Sequence, residues 1–455
     1  MFRIQTGDTI REAIIEEDIQ NIISKYSEAG YPLAKVITES VVPRDSNILD
    51  MIFRIDEGVR PRVVAMNVTG LTNTDTNIVT REFSLERKPI YAPKSIDAAR
   101  NRVSRLGIFS SVGEPQLIKY NDSTLGLSLA VSEANTTFID GIIGYGSGPG
   151  VDEKPIISGF LTLDFRNIGG TARAASFRFR REDPSKQQLD LYYKEPWFLN
   201  YPVSLEANFG TRDEDTVFSR INTSVSAGIF LNDITTISGL VGYESVTPGS
   251  AKIVYATTAL RTGLYIDIDT RNDIYAPTNG FQVKLDGVFN AKSVSGSTVY
   301  DSLGEVSTSV TQVNLLATGY IPTFTDKWVL VAKLNGANIT GGSGKLQQND
   351  LYRFGGLRTL RGYYESEFTA SLALIGTLEY RLMFSKNSFF SLFSDFGYLE
   401  RKEGIGFDGS KEYPVSYGFG ISFGTKIGIF QASIALPKGE QIDNAKLHFG
   451  LSADL

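Results

Sequence analysis

The sequence predicts a transmembrane β-barrel of about 16 antiparallel strands preceded by small α+β modules. Apolar and polar residues alternate with a period of two from about Thr137 to Leu455, whereas helix and strand signals are mixed before residue 136. No apolar run of about 18 residues exists to form a spanning helix, so any membrane crossing must be made by strands.

Each part of that reading rests on particular residues. Phe177 and Phe179 alternate with Ser176, Arg178 and Arg180, and Leu189, Leu191 and Tyr193 with Asp190, Tyr192 and Lys194. Phe281, Val283 and Leu285 alternate with Gln282, Lys284 and Asp286. Turn signals at Asn167-Ile168-Gly169-Gly170, Pro184-Ser185, Pro277-Thr278-Asn279-Gly280 and Thr340-Gly341-Gly342 separate such runs. A soluble sandwich also alternates. Two features favour a membrane: aromatic pairs near strand ends (Tyr192-Tyr193, Trp197-Phe198, Tyr363-Tyr364, Phe389-Phe390), as interfacial girdles require, and a final strand running to the terminus. That strand sets Leu447, Phe449, Leu451, Ala453 and Leu455 against His448, Ser452 and Asp454.

Before the barrel, Ile19, Ile22, Ile23 and Tyr26 fall at helical spacing, and Gly30 follows as a stop. Val36 to Val41 and the alternating Leu49, Met51, Phe53 and Ile55 read as paired strands ending at Glu57-Gly58. The order then repeats. A strand from Val63 to Thr69 precedes a helix near Asp75 to Phe83 and a second carrying Ile96, Ala99, Val103 and Leu106 on one face. Strands at Val112 to Tyr120 and Leu125 to Val131 close the unit. The expected boundaries are 1–58 and 59–135 for two modules and 136–455 for the barrel, with a long inward loop at about 338–369.

Composition narrows the function. The chain has 455 residues, more than one ordinary domain, with 42% hydrophobic residues, 44 glycines and 11% aromatics. It has no cysteine, which excludes disulfides and thiolate metal sites, and a single histidine, His448, on which any Ser/His/Asp triad would depend. No catalytic residue, metal site or cofactor is expected. The net charge of −6 comes with scattered basic residues and no nucleic-acid patch. Gly141 to Gly150 and Gly169-Gly170 lack the following Lys-Ser/Thr and helix of a phosphate cradle. The start, Met1-Phe2-Arg3-Ile4, carries no export signal, so the chain reads as mature or truncated.

Four stretches of the barrel half resemble the outer-membrane β-barrel assembly superfamily, which includes the Bam and Tam barrels, the mitochondrial sorting barrel and two-partner secretion transporters. Asp269-Thr270-Arg271-Asn272-Asp273 through Pro277 to Gly280 looks like its strand-and-turn element. Phe354-Gly355-Gly356 leading to Leu360-Arg361-Gly362-Tyr363 looks like the tip of its long sixth loop. Phe393-Ser394-Asp395-Phe396-Gly397 and Glu379 in Thr377-Leu378-Glu379-Tyr380-Arg381 look like its strands 13 and 12. Tyr26 to Val36 resembles a POTRA domain. There are departures: no convincing strand precedes Ile10, so the first POTRA module reads as cut, and the last residue is Leu455 where the family usually has Phe.

The resemblance implies a bacterial outer-membrane barrel with periplasmic POTRA modules that inserts or translocates other proteins without covalent chemistry. Its partners would be unfolded outer-membrane client proteins, periplasmic chaperones or accessory lipoproteins, and the lipid bilayer. Arg361 would anchor the loop on Glu379 and Asp395, Gly362 would let its backbone approach the wall, and Tyr363 would stack on strand residues. Leu378, Tyr380 and Leu382 should then face lipid, while Phe393 and Gly397 share the inward face with Asp395. Gly141 and Gly144 on the first strand and Gly450 and Leu455 on the last would form a weakened lateral seam where client strands pair. Two other readings stand beside this one: a two-partner secretion transporter passing an unfolded client through the lumen, and a passive porin-like channel with periplasmic modules.

Overall fold

The period of the sequence changes along the chain: among the described residues the three α-helices all lie before residue 106, and after it come strands with three single 3-10 turns. A computed structural model describes residues 9, 11–45, 48–85, 90–146, 156–183, 186–214, 217–232, 234–250, 254–273, 276–295, 306–325, 327–341, 346–364, 366–385, 388–404, 407–425 and 428–452. Ile10, Ser147 to Gly150, the Pro184-Ser185 turn, Gly342 and Ala453 to the terminal Leu455 lie outside them. Contacts divide the chain into Met1–Ala134 with Gly169–Thr171, and Asn135–Ile168 with Ala172–Leu455.

The first unit contains α1 (Glu12–Glu28), β1 (Lys35–Asp45), β2 (Ile48–Asp56), β3 (Arg62–Thr69), α2 (Thr76–Phe83), α3 (Pro93–Arg105), β4 (Phe109–Val112), β5 (Gln116–Lys119) and β6 (Thr124–Glu133). Its elements begin and end on identifiable signals. Gly30, at φ +98°, closes α1 while the Gly30 and Tyr31 amides donate to Ser27 and Tyr26 carbonyls, satisfying the helix end. Asp75 caps α2 by accepting from the Asn77 amide at 2.8 Å, and Pro93 opens α3. β1 and β2 form an antiparallel pair, whereas β6 takes β3 in parallel and β4 and β5 antiparallel. Leu125, Leu127, Leu129 and Val131 of β6 are buried, as are Ile78, Val79, Phe83, Ile96, Ala99 and Val103 of the helices. The continuous strand expected from Val112 to Tyr120 is instead two short ones. Pro115 between them has no amide to donate, and a side chain at Gly113 would approach the Ala130 carbonyl to 3.0 Å.

The second unit begins with β7 (Thr137–Gly146), β8 (Ile156–Ile168), β9 (Arg173–Asp183), β10 (Lys186–Glu195) and β11 (Val203–Glu214). Next come β12 (Phe218–Phe230), β13 (Thr235–Pro248), β14 (Ala256–Asp269), β15 (Gly280–Ser295), β16 (Val306–Pro322) and β17 (Trp328–Gly341). A loop containing β18 (Tyr352–Phe354) and β19 (Phe368–Ala370) leads to β20 (Leu372–Ser385) and β21 (Ser388–Arg401). β22 (Ser410–Glu412), β23 (Val415–Thr425), β24 (Gly428–Pro437) and β25 (Lys446–Ser452) complete it. All but β18 and β19 belong to one closed barrel, whose order brings β25 back beside β7. β22 and β23 both pair with β21 and are interrupted at Pro414, so the seventeen described segments make sixteen staves.

Parity sorts the barrel's side chains. Leu374, Leu378, Leu392, Phe396, Phe419 and Phe449 are exposed on the outer face, while Ala373, Ile375, Glu379, Phe393 and Asp395 are buried on the inner one. A continuous exposed band of large apolar groups is what lipid-facing strands require. Among the described residues no helix is long and apolar enough to cross a membrane. The girdle is partly as expected: Trp328 stacks on Tyr380 at 5.3 Å and Phe390 faces out, but Phe389 lies inward under Arg381. Tyr363 and Tyr364 are no girdle; both belong to the loop. The turn expected at Thr340-Gly341 is strand, because β17 continues through Gly341 along β16.

At the end of β6 the Glu133 carboxylate collects the amides of Thr72, Asn73 and Thr74 and the Thr72 hydroxyl. Burial pushes its pKa up, but these hydrogen bonds outweigh burial and hold it at about 2. The depressed value means a stabilising contribution that is complete above the ordinary carboxylate range and disappears as pH falls from about 4.5 to about 2. Glu133→Gln should therefore lower hydrogen-exchange protection of the Thr72 to Thr74 amides at pH 7, and the difference from wild type should shrink across that window. A difference unchanged down to pH 2 would show that the charge is not what holds the loop.

Candidate functional site

The loop between β17 and β20 is fastened before it reaches its tip. Gln347 accepts from the Tyr255 amide at 2.9 Å, and Lys292 of β15 pairs with Asp350. β18 and β19 form a small antiparallel hairpin, so the loop is internally structured. Gly355, at φ +125°, turns the chain, and the Thr359 hydroxyl accepts from its amide and donates to its carbonyl at 2.8 and 2.9 Å. Leu360 is fully buried beside Phe354, Ala370 and Ile375. The loop is thus shifted slightly from the expected 338–369, because β17 runs to Gly341 and β20 starts at Leu372.

Arg361 follows that hydrophobic plug. Its Nε and Nη2 donate to Asp395 Oδ2 and Oδ1, both at 2.8 Å, its Nη1 donates to Glu379 Oε2 at 3.1 Å, and its amide adds a bond to Asp395 at 3.1 Å. The guanidinium carbon lies 3.3 Å from the Phe393 ring centre. β20 and β21 place these partners together: Glu379 is registered opposite Phe393 and Thr377 opposite Asp395, all on the inner face. Thr377 donates to Asp395 at 2.8 Å and Arg381 to Glu379 at 2.7 Å, so two cations meet two carboxylates. The Arg361 side chain is 12% exposed and that of Asp395 1%. A buried fork of this kind is favourable only when every charge is matched, as here.

The neighbouring residues complete the fit. Gly362 has φ +90°, and a side chain there would come within 3.1 Å of Ser416 Cβ. Tyr363 packs edge-on against Phe368 of the loop, and its hydroxyl exchanges 3.2 Å bonds with the Val415 backbone. The stacking surface expected on the wall is therefore supplied by the loop itself. A side chain at Gly397 would meet the Pro414 ring at 2.7 Å, and one at Gly418 the Phe393 ring at 2.8 Å. Gly418 is thus the space into which Phe393 fits. Sequence reasoning missed it, as it missed Thr377.

The seam glycines differ from one another. Gly141 and Gly144 lie on β7 and Gly450 on β25. Gly141 is registered opposite the outward-facing Leu161 of β8 and so belongs to the outer face, whereas parity puts Gly144, like Gly450, on the inner one. A side chain at Gly450 would come within 2.4 Å of Leu357 of the loop. His448, the chain's single histidine, accepts the Gly362 amide on Nε2 at 2.9 Å. Beneath the loop is a chamber of about 690 Å³ lined by Arg178, Lys284, Lys333, Arg361, Glu379 and Gly450, among others.

With this geometry in view, a family model described as the Omp85 superfamily domain matches residues 167–454, more than half of the chain. The chain belongs to the Omp85 superfamily. A POTRA model, described as a surface antigen variable number repeat, matches residues 1–58. The outer membrane protein assembly factor BamA of Neorickettsia risticii is 26% identical over 148 residues, 32% of this chain and 20% of that protein. BamA of Neisseria meningitidis serogroup B is 24% identical over 191 residues, 41% of this chain and 22% of that protein. The chain therefore spans about a fifth of the length of these Omp85 relatives. Two solved structures share the fold. BamA from Haemophilus ducreyi lacking POTRA domains 1–3 has a TM-score of 0.55 at 19% identity, covering 98% of this chain and 94% of that one. CdiB from Escherichia coli has a TM-score of 0.58 at 11% identity, covering 97% and 84%.

Removing Arg361 would leave Glu379 and Asp395 buried with their charges partly unmatched, at a cost on the order of 3–5 kcal/mol. Arg361→Ala is expected to leave the barrel folded while exposing residues 346–364 to protease. Arg361→Lys should rescue only part of the protection, since a lysine cannot fork. Equal protection in all three proteins would remove the anchoring role.

Proposed function

We propose that this barrel is an outer-membrane protein assembly factor that receives unfolded client proteins through periplasmic POTRA modules, residues 1–58 and 59–135, and inserts them at the seam between β7 and β25. The observation that carries the reading is the structured loop held across the barrel interior by Arg361. A loop fastened at its base, plug and tip supports work at the wall more than free passage through the lumen. The similarity to BamA proteins, named as assembly factors, points the same way.

The mechanism is pairing rather than catalysis. In lipid, unpaired amides and carbonyls have no water, so an opened seam would strongly favour an incoming client strand. Glycine at positions 141, 144 and 450 weakens the two strands that must part. Energy would come from client folding and from periplasmic chaperones or accessory lipoproteins that deliver it.

Because the chain has no cysteine, one introduced pair between Thr137–Gly146 and Lys446–Ser452 can lock the seam specifically. Insertion of a client barrel into liposomes should stop in the oxidised form and return on reduction. Full insertion by the locked protein would eliminate the seam mechanism. Secretion of an unfolded client into the liposome lumen by the locked protein would instead favour a two-partner secretion transporter.

A further inference from the structure

The tip of the loop touches the wall in strand order. Arg361 reaches Glu379 on β20 and Asp395 on β21; Tyr363 bonds the Val415 backbone on β23; and Gly362 lies against Ser416 on β23 and Ala435 on β24. The series then continues onto β25, the strand beside the seam. Lys446, His448 and Gly450 are successive inward positions there, registered against Ala435, Ser433 and Gln431 of β24. Each faces a different loop residue. Lys446 Nζ donates to the Tyr364 hydroxyl at 2.9 Å and lies 4.2 Å from its ring centre, His448 Nε2 accepts the Gly362 amide, and Gly450 leaves room for Leu357.

We infer that His448, supported by Lys446 and Gly450, is a latch tying the loop tip to the final strand, so that the loop's seating restrains that strand. The chemistry of the position favours histidine. The Gly362 amide can only donate, so its partner must offer an unprotonated acceptor at the end of a side chain. Lysine and arginine offer none. A carboxylate beside Arg361 would compete with Glu379 and Asp395 for the guanidinium that anchors the tip. Neutral imidazole accepts without disturbing that balance.

The inference deepens the assembly reading and relies on it only for the consequence in insertion, so contact and consequence are measured separately in the full chain in detergent and in liposomes. For the contact, His448→Ala should speed hydrogen exchange of the 446–452 amides on the order of fivefold, with the loop still protease-resistant because Arg361 is untouched. His448→Gln, whose amide oxygen can take the place of Nε2, should recover most of the protection. Equal exchange in wild type and His448→Ala, or equal loss in the Ala and Gln variants, would overturn the latch. If His448→Ala does not assemble, Tyr364→Phe provides the same test from the loop side: it removes the Lys446 bond at an exposed position and should speed exchange at the start of β25, and unchanged exchange there would overturn the latch. For the consequence, a loosened strand should change the rate of client insertion. A latch confirmed by exchange with insertion unaltered would leave the tie standing and count against the seam.

Discussion

One buried guanidinium sets the conditions for the rest of the barrel interior. Arg361 is held by both oxygens of Asp395 and one of Glu379, with Arg381 and Thr377 occupying the remaining acceptor positions. Taking such charges out of water costs several kcal/mol per ion, and only complete matching offsets it. Matching is therefore an all-or-nothing property of the tip. With the fork in place two guanidinium groups meet two carboxylates; with it displaced, Glu379 keeps Arg381 beside it on β20 while Asp395 on the adjacent β21 loses its guanidinium partner.

The wall is shaped around that contact by absences as much as by contacts. Phe393 can lie flat beneath the guanidinium because position 418, opposite it on β23, has no side chain. Pro414 packs where Gly397 leaves space, and Gly362 itself reaches β23 and β24 because its backbone is left-handed and bare. Strand glycines usually weaken a sheet. Here Gly397 and Gly418 also admit a neighbour, as Gly450 does for Leu357. The weakening proposed for the seam rests on Gly141 and Gly144 of β7 and Gly450 of β25 alike.

Much of this was legible in the sequence. Dyad alternation marks the staves because each residue's face is fixed by parity, and the Arg361, Glu379 and Asp395 set could be named because all three occur in stretches that resemble the superfamily's motifs. What could not be read depended on distant register. His448 looks like any lumen residue until β25 is placed beside the loop tip, 86 residues away in sequence. Gly418 is one glycine among several in a glycine-rich strand until Phe393 is seen against it. Local signals misled where tertiary pairing overrode them: Thr340-Gly341 has turn chemistry yet continues β17, and Tyr363-Tyr364 resembles a girdle pair yet caps the loop. Pro115 worked the other way, splitting a strand that alternation alone would have kept whole.

The final strand raises a problem of balance that the loop helps to solve. Among the described residues β25 pairs with β24 from Lys446 to Ser452 and stands beside β7 in the barrel order. On the proposed mechanism this edge must open to admit a client strand. At rest it must stay closed, because fraying inside a bilayer exposes amides that have no solvent. Contacts from the lumen side resolve the conflict, because they hold the strand without adding ladder bonds that would have to be broken on opening. On the proposed latch, three of them are made by one loop whose tip is held by one ion cluster, so unseating the tip would free the edge from the lumen side.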